Sequence, residues 1–332
     1  MKCLLIGGTR FIGPPVVRYL QEGGHDVAVF HRGKSKLTKL QGVKEILGDR
    51  KEIKNYEKEL HSFSPDVVID MICLNESDAK SLTEAISPFA KRLVMISSCD
   101  VYRAYGLLIG KEEGPLEPVP LSEDAPLRKI RFPYRRKLDE GSYLDDYDKI
   151  PAEEWVMSHS TIAGTVLRLP MVHGPGDYQH RLQPYVRRAD DGRSHIILEK
   201  THAKWTTTRG YVENVAWAIA LCAMDEKAAG KIFNVADELE YTEAAWATLV
   251  TEACGHKCEL VLAHNDELPA EMKTEGNFRQ DLLTSSKKIR EELGFIEKIP
   301  PAEALRRTIE WERETTAEID YQQEDSFLKT VL

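Results

Sequence analysis

A doubly wound parallel α/β sheet with a smaller C-terminal α/β unit is the fold this sequence predicts. Three observations carry that expectation. Short apolar runs begin near residues 2, 26, 44, 66 and 92, reading KCLLI, DVAVF, KEILG, DVVID and RLVMIS. Helix-length stretches separate them, over 11–22, 50–61 and 76–87. The runs also lack polar alternation, as strands buried on both faces do. Strands alternating with helices give a parallel sheet covered on both sides.

The first strand runs straight into LLIGGTRFIG, residues 4–13. Gly7 ends the strand and permits a sharp turn. Gly13 lets the following helix pack closely, and the helix N-terminus then faces an anion such as a dinucleotide pyrophosphate. Arg10 stands where a second glycine is expected. The second strand ends in FHRGKSK, with His31, Arg32, Lys34 and Lys36 and no carboxylate. An acidic residue there would bond the ribose 2′-hydroxyl of NAD, whereas a cationic end accommodates a 2′-phosphate. NADP is therefore favoured over NAD, the alternative being a solvated basic loop. Arg10 is placed to reach the same phosphate.

Further on, GTVLRLP (164–170) reads as a sixth strand, KIFNVA (231–236) as another, and VENVAWAIALCA (212–223) as a partly buried helix. Residues 106–146 differ in kind: GPLEPVPLSEDAP leads into the basic, turn-rich RKIRFPYRRKLDE. A long irregular insertion of this sort is usually functional or mobile. After residue 240 come EAAWATLVTEAC, the strand-like CELVLA and helices over 285–293 and 301–314, and then an acidic end without clear pattern. The expected division is a dinucleotide-binding unit at 1–172 and 206–236, a substrate-binding unit at 173–205 and 237–316, and a C-terminal tail at 317–332.

Composition excludes several classes. With 332 residues, 42% hydrophobic and 30% charged, the chain can bury a full core and is not expected to be disordered. A net charge of -9 argues against nucleic acid and anionic membranes as partners, leaving the basic RKIRFPYRRK (128–137) as the one stretch that suggests otherwise. No apolar run reaches membrane-spanning length, and MKCLLIGGTR turns glycine-rich too early for a signal peptide. Six scattered cysteines suit reduced thiols in the cytoplasm. CGHKC groups Cys254, His256 and Cys258, but without a fourth ligand it reads as a helix end and strand start, and no metal is expected.

At this point the chain resembles the extended short-chain dehydrogenase/reductase superfamily, the NAD(P)-dependent epimerase/dehydratase group, in the atypical branch with a GGTRFIG turn. The likeness rests on six motifs in order: GGTRFIG, LGDR, ISSCDVY, LRLPMVHGPG, RGYVENVA, and DLLTSSKKIREELGF with PAEALRRTIEW. It implies a Rossmann fold that contacts NADP, or NAD as second choice, through Gly7, Thr9, Arg10, Phe11, Ile12, Gly13, Arg32, Asp49, Arg50, Met71, Ser97, Lys149, Pro170 and Met171. It implies substrate contacts from His173, Arg209 and Arg279, and a homodimer. The implied activity is oxidoreduction or epimerisation of a sugar, nucleotide sugar or similar hydroxyl or carbonyl compound. The same branch holds chloroplast stem-loop RNA-binding proteins, so a non-catalytic NADP-binding regulator or RNA-binding protein is the second reading.

Chemistry in this group needs a Ser or Thr and a Tyr-Lys pair four residues apart, the ammonium lowering the phenol pKa. Ser98 and Lys149 are present, yet Asp145 stands four before the lysine. Tyr143 and Tyr147 are near. On a regular helix Tyr147 and Lys149 point about 200° apart, but Pro151 disfavours helical geometry at Ile150, and an unwound segment lets Tyr147 turn toward Ser98. Asp100 is either an acid beside the serine or a strand-end cap. His173 is either a titrating group or a hydrogen-bonded structural histidine, and Trp205 is read as core.

Overall fold

The computed structural model describes residues 1–35, 42–135, 142, 144–314 and 318–332. In chain order the first half contains β1 (Lys2–Ile6), α1 (Gly13–Glu22), β2 (Asp26–His31), β3 (Lys44–Leu47), α2 (Glu57–Phe63), β4 (Val67–Asp70), α3 (Glu76–Ile86), β5 (Arg92–Ser98), α4 (Arg103–Leu108) and α5 (Lys149–Ser158). The second half adds β6 (Ala163–Leu169), β7 (Met171–His173), α6 (Gln183–Asp190), β8 (His195–Glu199), β9 (Thr206–Thr207), β10 (Arg209–Tyr211) and α7 (Val212–Met224). It closes with β11 (Lys231–Asn234), β12 (Tyr241–Thr242), α8 (Glu243–Ala253), β13 (Glu259–Ala263), α9 (Lys287–Leu293), α10 (Pro301–Arg313) and α11 (Gln322–Val331).

Seven strands form one sheet in the order β11-β6-β5-β4-β1-β2-β3, and every pairing is parallel. The expected strands are therefore all present, in the doubly wound Rossmann arrangement. Central β4 is buried at every position, while the edge strand β3 buries only Ile46, which is what separates two-sided from one-sided burial. One apolar layer packs α1 and α7 on the sheet through Val16, Leu20, Val215 and Ile219. The other packs α2, α3 and α5 through Leu60, Leu82 and Val156. No described helix is long and apolar enough to cross a membrane.

Two stretches without a regular sequence pattern are tied to distant parts of the chain. The irregular 106–146 segment is pinned where it is described: Leu121 exchanges backbone hydrogen bonds with Leu283 (2.7 Å) and Ser285 (2.8 Å), and Glu123 accepts from the Asn234 amide at 2.8 Å. The patternless C-terminal end forms α11, which buries Phe327 against Ala263 and Leu268 and pairs Glu324 with Arg188 and Asp325 with Arg193. Its partners lie far back in the chain, so its own spacing gave no signal.

Of the remaining elements, α9 joins the α1 and α7 layer through Ile289 and Leu293. Strands β8 and β13 pair in parallel, and α6, α8 and α10 enclose Leu182, Trp246 and Leu305.

Candidate active site

The glycine turn is closed by its own backbone. Gly7 and Gly8 have φ of 80° and 85°, and the Gly7 amide donates to the Phe30 carbonyl at 2.9 Å. A Cβ at Gly13 would lie 2.0 Å from the Gly8 carbonyl oxygen, so only glycine fits there. Pro14 and Pro15 supply no amide, and the Gly13 amide goes to the Arg10 carbonyl at 3.0 Å. The amides of Gly8, Thr9, Arg10, Phe11 and Ile12 take no partner among the described residues. They are the donors such a turn offers to an anion, and the cradle fits a dinucleotide. Met71 lies against Gly8, and Ile72, 40% exposed, lies against Gly7. Ile72 was missed by sequence reasoning; a lone apolar residue just after a strand carries no signal.

Arg10 donates from Nε to Ser35 Oγ at 2.9 Å, tying the turn to the loop after β2. Arg32 and Lys34 are exposed in that loop. His31 is buried with both ring nitrogens occupied, one with Glu45 at 2.9 Å and one by the Gly33 amide at 3.2 Å, so it is not part of the cationic end. Lys36 lies outside the described residues. Asp49 accepts from the Lys51 amide at 2.9 Å and caps the following turn.

Two residues expected at the cofactor are turned inward instead. Arg50 is buried and forks onto Asp70 at 2.9 and 2.7 Å. Ser97 donates to Glu153, which accepts from Arg168 at 2.7 Å. Arg168 reaches Tyr102 at 3.0 Å, and Tyr102 donates to Asn234 at 2.6 Å. This buried chain joins β5, β6, β11 and α5. Burial pushes the Tyr102 phenol up to about 12, so Tyr102 is a neutral strut. Pro170 is buried against Gly210. Met171 accepts a weak bond from Thr207 at 3.8 Å. Thr9 sits in the turn, half-buried.

Helix α5 starts only at Lys149, capped by Asp148, whose carboxylate accepts from the Ile150 amide at 3.2 Å. Tyr147 therefore precedes the helix, and the opposed directions expected on a regular helix do not arise. Its hydroxyl donates to Asp100 Oδ2 at 2.8 Å, with the Ser98 hydroxyl in hydrogen-bonding reach. Lys149 Nζ donates to the carbonyls of Cys73 and of Ile96 (3.0 Å), and lies 5.6 Å from the Tyr147 ring centroid. Ser98, Tyr147, Lys149 and Asp100 thus meet at the ends of β4 and β5, along the edge from which the glycine turn also leaves. The cap of the turn after β5 is Ser98, which accepts from the Asp100 amide at 3.2 Å, so Asp100 is not the cap. Burial first, then the Asp100 charge, holds the Tyr147 phenol well above its ordinary range. Tyr143 lies outside the described residues.

The residues expected at the substrate do not join this cluster. His173 is buried, 3.4 Å from Thr308 Oγ1, and burial with the Arg209 and Arg181 charges pushes it down to about 3. It is neutral at physiological pH, as a structural histidine is. Arg209 is bound by Glu243 at 2.5 Å and by the Tyr241 carbonyl at 3.2 Å. Both residues line a cavity of about 260 Å³ with Asp237 and Trp246. Arg279 is exposed, and Trp205 is core, donating to the Gln280 carbonyl at 2.9 Å. His256 and Cys258 both engage the Arg193 carbonyl, at 2.9 and 3.2 Å. Among the described residues no three ligands form a metal group.

A parallel sheet, a glycine cradle with unpartnered amides, and a Ser-Tyr-Lys cluster at the same edge define a dinucleotide-binding Rossmann protein. Residues 3–236 match the NAD dependent epimerase/dehydratase family, and the chain belongs to that family. It is similar to the chloroplast stem-loop binding protein of 41 kDa b from Arabidopsis thaliana, 27% identical across 92% of this chain and 77% of that one. It is also similar to dTDP-glucose 4,6-dehydratase from Streptomyces niveus, 24% identical across 96% and 94%. Among solved structures, UDP-glucose 4-epimerase from Thermotoga maritima with UDP-glucose superposes with a TM-score of 0.69, at 21% identity, over 95% of this chain and 99% of that one. That likeness speaks for the fold.

Proposed function

We propose that this chain is an NADP-preferring oxidoreductase of the epimerase/dehydratase type, acting at a hydroxyl or carbonyl carbon of a sugar or nucleotide sugar. The observation that carries the reading is Tyr147 beside Ser98, Asp100 and Lys149 at the sheet edge that bears the glycine turn. When bound, the nicotinamide supplies hydride exchange. The chain's own groups manage the proton. Ser98 and Tyr147 hold the substrate oxygen; as a hydroxyl is oxidised, its proton passes to the Tyr147 oxygen while the Tyr147 proton passes to Asp100. In reduction the two transfers reverse. Because burial and Asp100 keep Tyr147 neutral, it works as a relay and donor, with Asp100 as the proton acceptor. Lys149, fixed on two carbonyls, is suited to a ribose. Residues 173–205 and 237–316 are the substrate-binding part in this reading, and six free cysteines suit a cytoplasmic setting.

The relatives named for dehydratase and epimerase activity support this chemistry, and the stem-loop-binding relative supports the second reading, a non-catalytic NADP-binding or RNA-binding protein. The basic stretch weakens the RNA version: Arg128 faces Asp148, Arg131 faces Glu154 and Arg135 faces Asp146. Three of its cations are already paired, which lessens what they gain from phosphate.

Cofactor choice is tested by titration. NADPH is expected to bind more tightly than NADH, and Arg32→Ala to erase most of the difference. One charge-assisted bond to a 2′-phosphate contributes about 1.5–3 kcal/mol, roughly ten- to hundredfold in affinity. Equal affinities in the unaltered chain reject the NADP preference. Activity is tested with NADP⁺ and a panel of sugars and nucleotide sugars, read by reduced-nicotinamide absorbance; a chain that binds NADPH but turns over none of them favours the regulatory reading.

A further inference from the structure

Asp100 carries more hydrogen-bond donors than one tyrosine relay requires. Its Oδ2 accepts from Tyr147 at 2.8 Å and also from Tyr134 at 2.9 Å, and Tyr134 in turn accepts from Tyr105 at 2.9 Å. Its Oδ1 is buried and takes no hydrogen bond among the described residues. Asp100 is 4% exposed, so water does not make up the difference. The rings of Tyr134 and Tyr147 meet edge to face, 5.1 Å between centroids, so both phenols are held in place by packing as well. Tyr134 comes from the irregular segment between α4 and α5, which nothing in the sequence connects to the end of β5.

We infer that Tyr134 is a positioning residue that sets the proton affinity of Asp100, and through it the pH range in which Tyr147 hands on its proton. This rests on the proposed acid–base role of Tyr147 and Asp100. A buried carboxylate is stable only as far as donors support it, and two phenols on one oxygen are nearly all this one has. Removing one of them favours the protonated carboxyl. The other groups facing it do not substitute. Arg128 donates to the Asp100 main-chain carbonyl, not to the carboxylate, and its charge is paired with Asp148. Ser98 accepts from the Asp100 amide. Lys149, 5.6 Å from the Tyr147 ring centroid, is engaged by two carbonyls. The Cys99 thiol next along the chain is pushed up to about 12 by burial, and Tyr105 likewise to about 12, so both are neutral. Burial and Asp100 push Tyr134 up too, which makes it a donor throughout the neutral range.

The test is the pH titration of the Asp100 carboxyl carbon by NMR in the full chain, which needs no substrate. Asp100→Asn assigns the signal. In Tyr134→Phe the midpoint is expected to rise by about one to two pH units, the equivalent of one hydrogen bond to a charged group. Tyr105→Phe, which leaves Tyr134 in place, should move it less and in the same direction. Where turnover is measured, the acid limb of the kcat profile should follow the same displacement. A midpoint unmoved in a folded Tyr134→Phe chain overturns the inference, as does a moved midpoint with an unmoved acid limb. Failure of the underlying reading looks different: Tyr147→Phe would retain turnover.

Discussion

Tyr147→Phe loses turnover by about 10²–10⁴-fold, the range general acid–base catalysis supplies, while affinity for NADPH stays nearly unchanged. The substitution is clean because only the hydroxyl leaves. The ring keeps its edge contact with Tyr134 and its place 5.6 Å from the Lys149 ammonium. What disappears is the bond to Asp100 and the reach to Ser98. The substrate oxygen then has no group to take its proton, and the nearest carboxylate is buried behind the missing phenol. Steady-state rates and a cofactor titration on the same preparation check this. Unchanged turnover would move the acid–base role away from Tyr147, to Tyr143 or to Asp100 alone.

Arg168→Leu destabilises the fold by about 3–5 kcal/mol, because it strands a buried carboxylate. Glu153 is 3% exposed and takes three of its hydrogen bonds from the Arg168 guanidinium, at 2.7, 3.1 and 3.2 Å. Once the arginine is gone, only Ser97 among the described residues still donates to it. Tyr102 loses a donor as well, at the turn that follows Ser98. Denaturant unfolding measures the loss. The double variant Arg168→Leu with Glu153→Leu should recover much of it, since a buried ion pair replaced on both sides costs far less than one broken on one side. A single variant as stable as the unaltered chain would mean that water reaches Glu153.

The sheet was legible because apolar runs of strand length, separated by helices of the right length, allow few arrangements. The cradle was legible because glycines at fixed spacing after a strand answer a backbone requirement. Charged residues were harder. Arg50, Ser97 and Arg209 have the chemical types of cofactor or substrate ligands, but Asp70, Glu153 and Glu243 claim them from 20, 56 and 34 residues away. Residue type says what a side chain can bond, and the fold decides which bond is made. Tyr147 turned on a helix boundary: with Asp148 as cap the helix begins at Lys149, two residues too late to include it. Tyr134 lies in an irregular segment with no period to place it, and only the fold brings it to Asp100.

The account depends first on a phosphorylated dinucleotide settling in the cradle at Gly7–Gly13 with Arg10 and Arg32 above it. Calorimetric titration of the full chain with NADPH and with NADH tests that most directly, with Gly13→Ala as the blank. The account predicts saturable one-site binding, tighter for NADPH and lost in Gly13→Ala. Binding of neither dinucleotide would contradict it, and with it both the enzymatic and the regulatory reading.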